Sequence, residues 1–430
     1  MTKAHSNSRQ MQPCGPVRGR LRPPGSKSIT NRALVCAALA SGNSTLRGAL
    51  DSEDTRVMIE ALRQLGVPIV AEQNGRTLHV TGCGGRIPSA GGELNVANSG
   101  TTVRFLAALV ALAHGTFRLD GTRRMRERPI ADLIDSLRQL GTEAASEGHG
   151  GCPPVVIHAA GLAGGPATVR GDVSSQFLSG LLMAAPYASR PVALTVTGTL
   201  VSQPYVRMTL AVMSAFGIDV PPGDLSRFAI PAEATYRGRE YEIEPDASAA
   251  SYFFGAAAIT GGEVTVEGLS RASLQGDVSF VDVLEQMGCQ VAHRTNCITV
   301  AGAALRGVEV DMNAISDTVQ TLAAVALVAD GPTTITGVGH IRHKETDRIA
   351  ALAIELRKLG ATVEELTDGL RITPGALRAA AIDTYDDHRM AMGLALVGLR
   401  VPGIVIRDPG CTAKTYPRFF DDLQVLIEAS

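Results

Sequence analysis

One pattern recurs six times along this 430-residue chain and limits what it can fold into. A polar cluster leads directly into a run of small apolar residues. It reads SKSITNRALVCAALA from Ser26, NSGTTVRFLAALVALA from Asn98 and SSQFLSGLLMAAP from Ser174. It returns as DASAASYFFGAAA from Asp246, SDTVQTLAAVALVA from Ser316 and DDHRMAMGLALVG from Asp386. The starts lie 72, 76, 72, 70 and 70 residues apart. A second element alternates with it: MIEALRQLGVPIV, LIDSLRQLGTEAA, LAVMSAFGIDV, VDVLEQMGCQV and AIELRKLGATVEE, whose glycines at 66, 141, 217, 288 and 360 step by 75, 76, 71 and 72. The chain ends in DDLQVLIEAS, where a sixth such helix is due. Self-similarity at a fixed period marks a repeated supersecondary unit.

Each unit therefore holds one helix apolar all round, hence buried, and one amphipathic helix closed by Gly and followed by a strand. Short alternating stretches such as RTLHVTG, VALTVTG, GEVTVEG and TTITGVG supply further strands. A chain of this length exceeds one ordinary core, so six units divide as three plus three in an α/β fold. Pro-rich LRPPGS and the EIEPD stretch mark the crossings. The expected domains are residues 24–243, and residues 1–23 together with 244–430.

The six polar clusters differ: Lys-Ser, Asn-Ser-Gly-Thr, Ser-Ser-Gln, Asp-Ala-Ser, Ser-Asp and Asp-Asp-His-Arg. A bare scaffold would cap six buried helices alike. Helix N-termini offer free N–H groups and a positive dipole end, so differing caps point to sites for anions. With three such starts per domain facing an interdomain cleft, the cleft is the expected active site.

Composition narrows the class. A net charge of −2 lacks the basic face that nucleic-acid or membrane-surface proteins need. The longest Gly-free apolar stretch, Phe105 to Ala113, is half a bilayer span. The polar N-terminus MTKAHSNSRQMQ has no apolar signal core. Seven scattered cysteines with no CxxC pair fit a reducing cytoplasm rather than a disulfide or zinc scaffold.

Basic residues gather in a few places. PPGSKSITNR lacks the spacing of a nucleotide P-loop, yet Lys27, Ser28 and Arg32 form a cationic start to a buried helix. DGTRRMRERPI holds four arginines, and one before Pro in a stiff turn suits a bidentate anion ligand. On a helix beginning at HKETDRI, Lys344 and Arg348 share a face with Glu345 beside them; an ordinary Glu345–Arg348 pair is the plainer reading. Asp386, Asp387 and His388 are three adjacent residues and rarely converge on one metal ion.

The stretches PPGSKSITNRAL, NSGTTVRF, RERPI, GDVSSQFLSGLLMAAP, VSQPY, DASAASYF, KETDRI, DDHRMAM and CTAKTYP stand in the order of the 5-enolpyruvylshikimate-3-phosphate synthases, which the chain resembles from about residue 14 onward. The resemblance implies a two-domain inverse α/β prism of six βαβαββ units, three per domain. It also implies transfer of the enolpyruvyl group of phosphoenolpyruvate to the 5-hydroxyl of shikimate 3-phosphate, by addition and elimination with release of phosphate.

Roles follow from the same resemblance. Lys27, Gly100, Arg128, Gln176, Arg348, Arg389 and Lys414 take phosphoenolpyruvate. Shikimate 3-phosphate meets Ser174, Ser175 and Ser202 through its phosphate, and Ser28 and Arg32 through its carboxylate. Asp317 and Lys344 meet its hydroxyls, Gln176 and Tyr205 flank its ring, and Lys27 and His340 also bind it. Asp317 is the expected base, with Glu345 and Lys27 on the acid side. No cofactor or metal is expected, the protein is expected to be monomeric, and the herbicide glyphosate is an expected inhibitor.

Three residues at two places depart from the family pattern. His340 stands where Asn is common, which raises a pH-dependent substrate bond. Ser99 and Phe105 replace Ala and Pro in the NAG-T-x-x-R-P motif, a change expected to alter glyphosate sensitivity. The rivals are the sister transferase acting on a UDP-amino sugar, disfavoured because no cysteine lies between Cys83 and Cys152, and a non-catalytic anion-binding homologue.

Overall fold

The computed structural model describes residues 8–221 and 223–428. Residues 1–7, which open the polar N-terminus and the second expected domain, lie outside the described residues. The chain forms two compact units, Gly25–Glu244 and Met1–Pro24 with Pro245–Ser430. The breaks fall one residue beyond the expected boundaries. Ser26 N–H donates to the Glu244 carbonyl at 2.8 Å, and Asp246 N–H to the Pro24 carbonyl at 2.8 Å, so each end closes on its own unit.

In unit 25–244 the three buried helices are α1 (Lys27–Leu39), α2 (Gly100–Val110) and α3 (Ser175–Ala184). In the other unit they are α4 (Ala247–Thr260), α5 (Val319–Ala326) and α6 (His388–Ala395). Every residue of α2, α4, α5 and α6 is buried, as runs without a polar face require. Small residues let these helices touch. A Cβ on Gly180 would sit 2.9 Å from the Arg104 carbonyl, and one on Gly255 2.7 Å from Thr321 Cγ2. The amphipathic helices, from Glu53–Gln64 to Phe419–Glu428 at the chain end, each bury one face.

Each unit holds three sheets on one plan. The strand after the buried helix sits inside, with a parallel neighbour on one side and an antiparallel one on the other. In one sheet His114–Asp120 lies between parallel Gly91–Asn95 and antiparallel Val155–Ala160. Strand–helix–strand runs within one sheet in four of the six repeats. At the two crossings the first strands trade places. Arg18–Leu21 precedes α1 yet pairs with Glu263–Val266, while Glu240–Glu242 precedes α4 yet pairs with Thr45–Arg47. Pro23, Pro24 and Pro245 cannot extend a ladder and release the chain there.

Candidate active site

The polar clusters open the buried helices, and five of the six cap them. Ser26, Ser99, Ser174, Asp246 and Asp387 each accept a bond from an N–H in the first turn. The sixth helix, α5, instead continues a 3-10 turn, Asn313–Thr318, that carries Ser316 and Asp317. Several candidate residues, Lys27, Gly100, Ser175, Arg348 and Arg389 among them, thus stand at helix starts.

In unit 25–244, Lys27 and Ser28 open α1, and Arg32 lies one turn in. Arg32 is 2% exposed, and its partners are all neutral. Nε donates to Thr209 Oγ1 at 2.7 Å, Nη1 to the Ser28 carbonyl at 2.9 Å, and Nη2 to Ser179 Oγ at 3.4 Å and the Tyr205 carbonyl at 3.2 Å. The Phe105 ring lies under the guanidinium with its centroid at 5.2 Å, and the Tyr205 ring at 5.9 Å. Burial lowers the Arg32 pKa to about 10, so the cation persists at neutral pH as a buried charge with no anionic hydrogen-bond partner among the described residues.

At the start of α2, Arg128 Nη1 donates to the Asn98 carbonyl at 3.1 Å. A Cβ on Gly100 would sit 2.3 Å from Arg128 Nη2 and 2.8 Å from Arg104 Nη1, so Gly keeps this place clear for close backbone approach. At the start of α3, Gln176 Nε2 donates to Thr101 Oγ1 at 3.1 Å, and its Oε1 accepts Arg104 Nη1 at 2.7 Å. Ser174 and Ser175 are buried beside it. Ser202, before helix Gln203–Ala215, is held in the left-handed region at φ 52°. Arg104 was not among the expected site residues. An arginine inside a run otherwise fit for a core is a buried charge, and that was the available signal.

The other unit gathers an alternating ion network. Asp317 Oδ1 accepts Arg348 Nη1 at 3.3 Å and Oδ2 accepts Arg389 Nη2 at 2.6 Å. Arg348 also donates to Asp387 at 2.8 and 3.2 Å and to Glu345 Oε2 at 2.9 Å. Glu345 Oε1 pairs with Lys414 Nζ at 3.0 Å, and Arg389 Nη1 donates to Tyr252 OH at 3.3 Å. Burial opposes the charge of Arg348, but Asp387, Glu345 and Asp317 outweigh it and hold its pKa above the ordinary arginine value. Three cations thus meet three carboxylates.

Carboxylates thus compensate these cations in place. One expectation is corrected: residues 344–347 are not helical. Helix Arg348–Lys358 begins only after Asp347, whose side chain caps Ala350 N–H, so Lys344 and Arg348 share no helix face. The plain Glu345–Arg348 pair does form.

His340 Nε2 lies 3.0 Å from Ser316 Oγ. Burial first, then Lys344, lowers its pKa to about 3, which removes a pH-dependent bond near neutrality. Behind the network, Asp277 hydrogen-bonds Ser248, and burial together with Asp317 raises its pKa to about 7. Tyr385 and Asp386, immediately before Asp387, are left-handed at φ 56° and 54°. Such a residue without a glycine costs of order 1–3 kcal/mol.

A family model described as EPSP synthase (3-phosphoshikimate 1-carboxyvinyltransferase) matches residues 11–423. The chain belongs to the EPSP synthase family. Within that family, a 3-phosphoshikimate 1-carboxyvinyltransferase of Trichormus variabilis is 51% identical over 406 residues, covering 94% of this chain and 95% of the relative. One of Nitrosomonas europaea is 49% identical over 412 residues, covering 94% and 95%. Among solved structures, an EPSP synthase from Acinetobacter baumannii superposes with a TM-score of 0.80 at 26% identity, covering 97% of each chain. The enolpyruvyl transferase NikO from Streptomyces tendae, at 21% identity and TM-score 0.74 over 97% of this chain and 96% of that one, shares the fold. Among the described residues no helix is long and apolar enough to cross a membrane.

Proposed function

We propose that this EPSP synthase family member transfers the enolpyruvyl group of phosphoenolpyruvate to the 5-hydroxyl of shikimate 3-phosphate through both sets of helix starts. In unit 25–244, Ser174, Ser175 and Ser202 take the shikimate phosphate, and Tyr205 and Gln176 flank the ring. Arg32, a buried cation with neutral partners, takes the carboxylate with Ser28. Lys27, Gly100, Arg128 and Gln176 take phosphoenolpyruvate from this unit, and Arg348, Arg389 and Lys414 from the other. His340 and Lys344 meet the shikimate hydroxyls.

The observation that carries the reading is the sharing of Arg348 between Asp317 and Glu345. Asp317 removes the proton of the 5-hydroxyl while its oxygen attacks C2 of phosphoenolpyruvate, and Glu345, with Lys27, protonates the methylene carbon. The tetrahedral adduct then loses a methyl proton and expels phosphate. Phosphoenolpyruvate competes with Asp317 for Arg348 and Arg389, so its binding loosens the base as it arrives.

On this reading the protein works as a monomer in the cytoplasm; seven cysteines that are all free thiols support the compartment. The test is phosphate release from phosphoenolpyruvate, with shikimate 3-phosphate or a UDP-amino sugar as acceptor. Release with the first alone is expected, and Lys27→Ala and Glu345→Ala should each lower turnover by about 10² or more with the fold intact. Release with the sugar, or near-normal turnover in both variants, overturns the reading.

A further inference from the structure

Helix Arg348–Lys358 grips the segment 383–387 from both ends. At its first residue Arg348 holds Asp387. Two turns later stands Glu355, a carboxylate with no exposed surface. Its Oε1 accepts Tyr385 OH at 2.7 Å and Lys358 Nζ at 2.8 Å, and its Oε2 accepts Asp383 N–H at 3.2 Å. Lys358 also pairs with Asp383 at 2.6 Å.

A buried charge is unfavourable unless paired, and an apolar residue would serve the packing of this helix better. The partners of Glu355 show what the charge is for. Two of them belong to the segment in which Tyr385 and Asp386 adopt the left-handed backbone. That turn links strand Ala381–Ile382 to α6 and fixes the direction in which Arg389 leaves the helix start.

We infer that Glu355, acting through Tyr385, is a positioning residue for Arg389 and hence for phosphoenolpyruvate binding. The inference rests on the reading that Arg389 holds phosphoenolpyruvate. Glu355 touches no reacting atom, and its influence is on where a guanidinium stands.

The test is steady-state kinetics of Tyr385→Phe, Glu355→Gln and the double variant, with Arg389→Lys measured alongside. Tyr385→Phe keeps the ring and removes only the hydroxyl. It should raise KM for phosphoenolpyruvate by about tenfold, the worth of one hydrogen bond to a charged group. The KM for shikimate 3-phosphate should stay within about twofold. Because the two changes share the Tyr385–Glu355 contact, the double variant should fall short of the sum of the single effects. Unchanged KM for phosphoenolpyruvate in both single variants, with Arg389→Lys raising it, overturns the inference alone. An Arg389→Lys enzyme with unchanged KM removes the reading beneath it. Equal rises in both KM values, or additive effects, reduce Glu355 to a structural residue and overturn the inference.

Discussion

Asp317→Asn separates the two jobs Asp317 performs, because the change is isosteric and removes charge and basicity together. Asp317 is a carboxylate partner of Arg389, at 2.6 Å, and a weaker partner of Arg348, at 3.3 Å. Arg348 keeps Asp387 and Glu345 after the change and should hardly move. Arg389 keeps Tyr252 OH. Two unit charges about 4 Å apart near a protein surface attract by roughly 4 kcal/mol, and this is the attraction that an arriving phosphoenolpyruvate must overcome at Arg389. Without it the substrate meets less competition, so KM for phosphoenolpyruvate should fall or stay level. Turnover should nevertheless drop by about 10² to 10⁴, the usual worth of a positioned general base. The assay is initial-rate phosphate release against phosphoenolpyruvate at saturating shikimate 3-phosphate. Turnover within about threefold of the parent, with KM for phosphoenolpyruvate raised about tenfold, refutes the argument and makes Asp317 a support for the arginines.

Phe105→Leu removes the ring beneath Arg32, a contact worth about 0.5–2 kcal/mol when desolvated. KM for shikimate 3-phosphate should therefore rise by about two- to thirtyfold, and an unchanged value counts against Arg32 as carboxylate ligand. For His340, the folded pKa of about 3 lies below the ordinary histidine value. The unfolded chain then takes up the extra proton as pH falls, so the stability His340 lends is complete above about pH 6.5 and lost toward pH 3. His340→Asn should flatten that part of the acid-side fall in melting temperature and leave the pH profile of turnover unchanged between about pH 6 and 9. A shifted turnover profile contradicts the neutral ring.

The repeat was legible because it is local: each cluster and the run behind it state a helix start and a buried helix within some fifteen residues. The ion network around Arg348 was harder. HKETDRI has helical spacing, yet Asp347 caps a helix that begins only at Arg348, and capping geometry decides between the two. Asp387 reads in sequence as part of a helix opening or a metal candidate, yet it is the main counter-ion of Arg348 across thirty-nine positions of sequence. No spacing rule spans such a distance. Arg104 was passed over for a related reason, since its partner Gln176 lies in the next repeat.

The traded strands at the two crossings set an order of events during synthesis. Residues 18–21 leave the ribosome early, but the strand they accompany, Glu263–Glu267, is more than two hundred residues behind. Everything from Gly25 to Glu244 can meanwhile collapse and join its own ends, as a bead tied off in the middle of a thread. Residues 18–21 stay uncommitted until the strand at 263–267, in the second half of the chain, arrives to claim them.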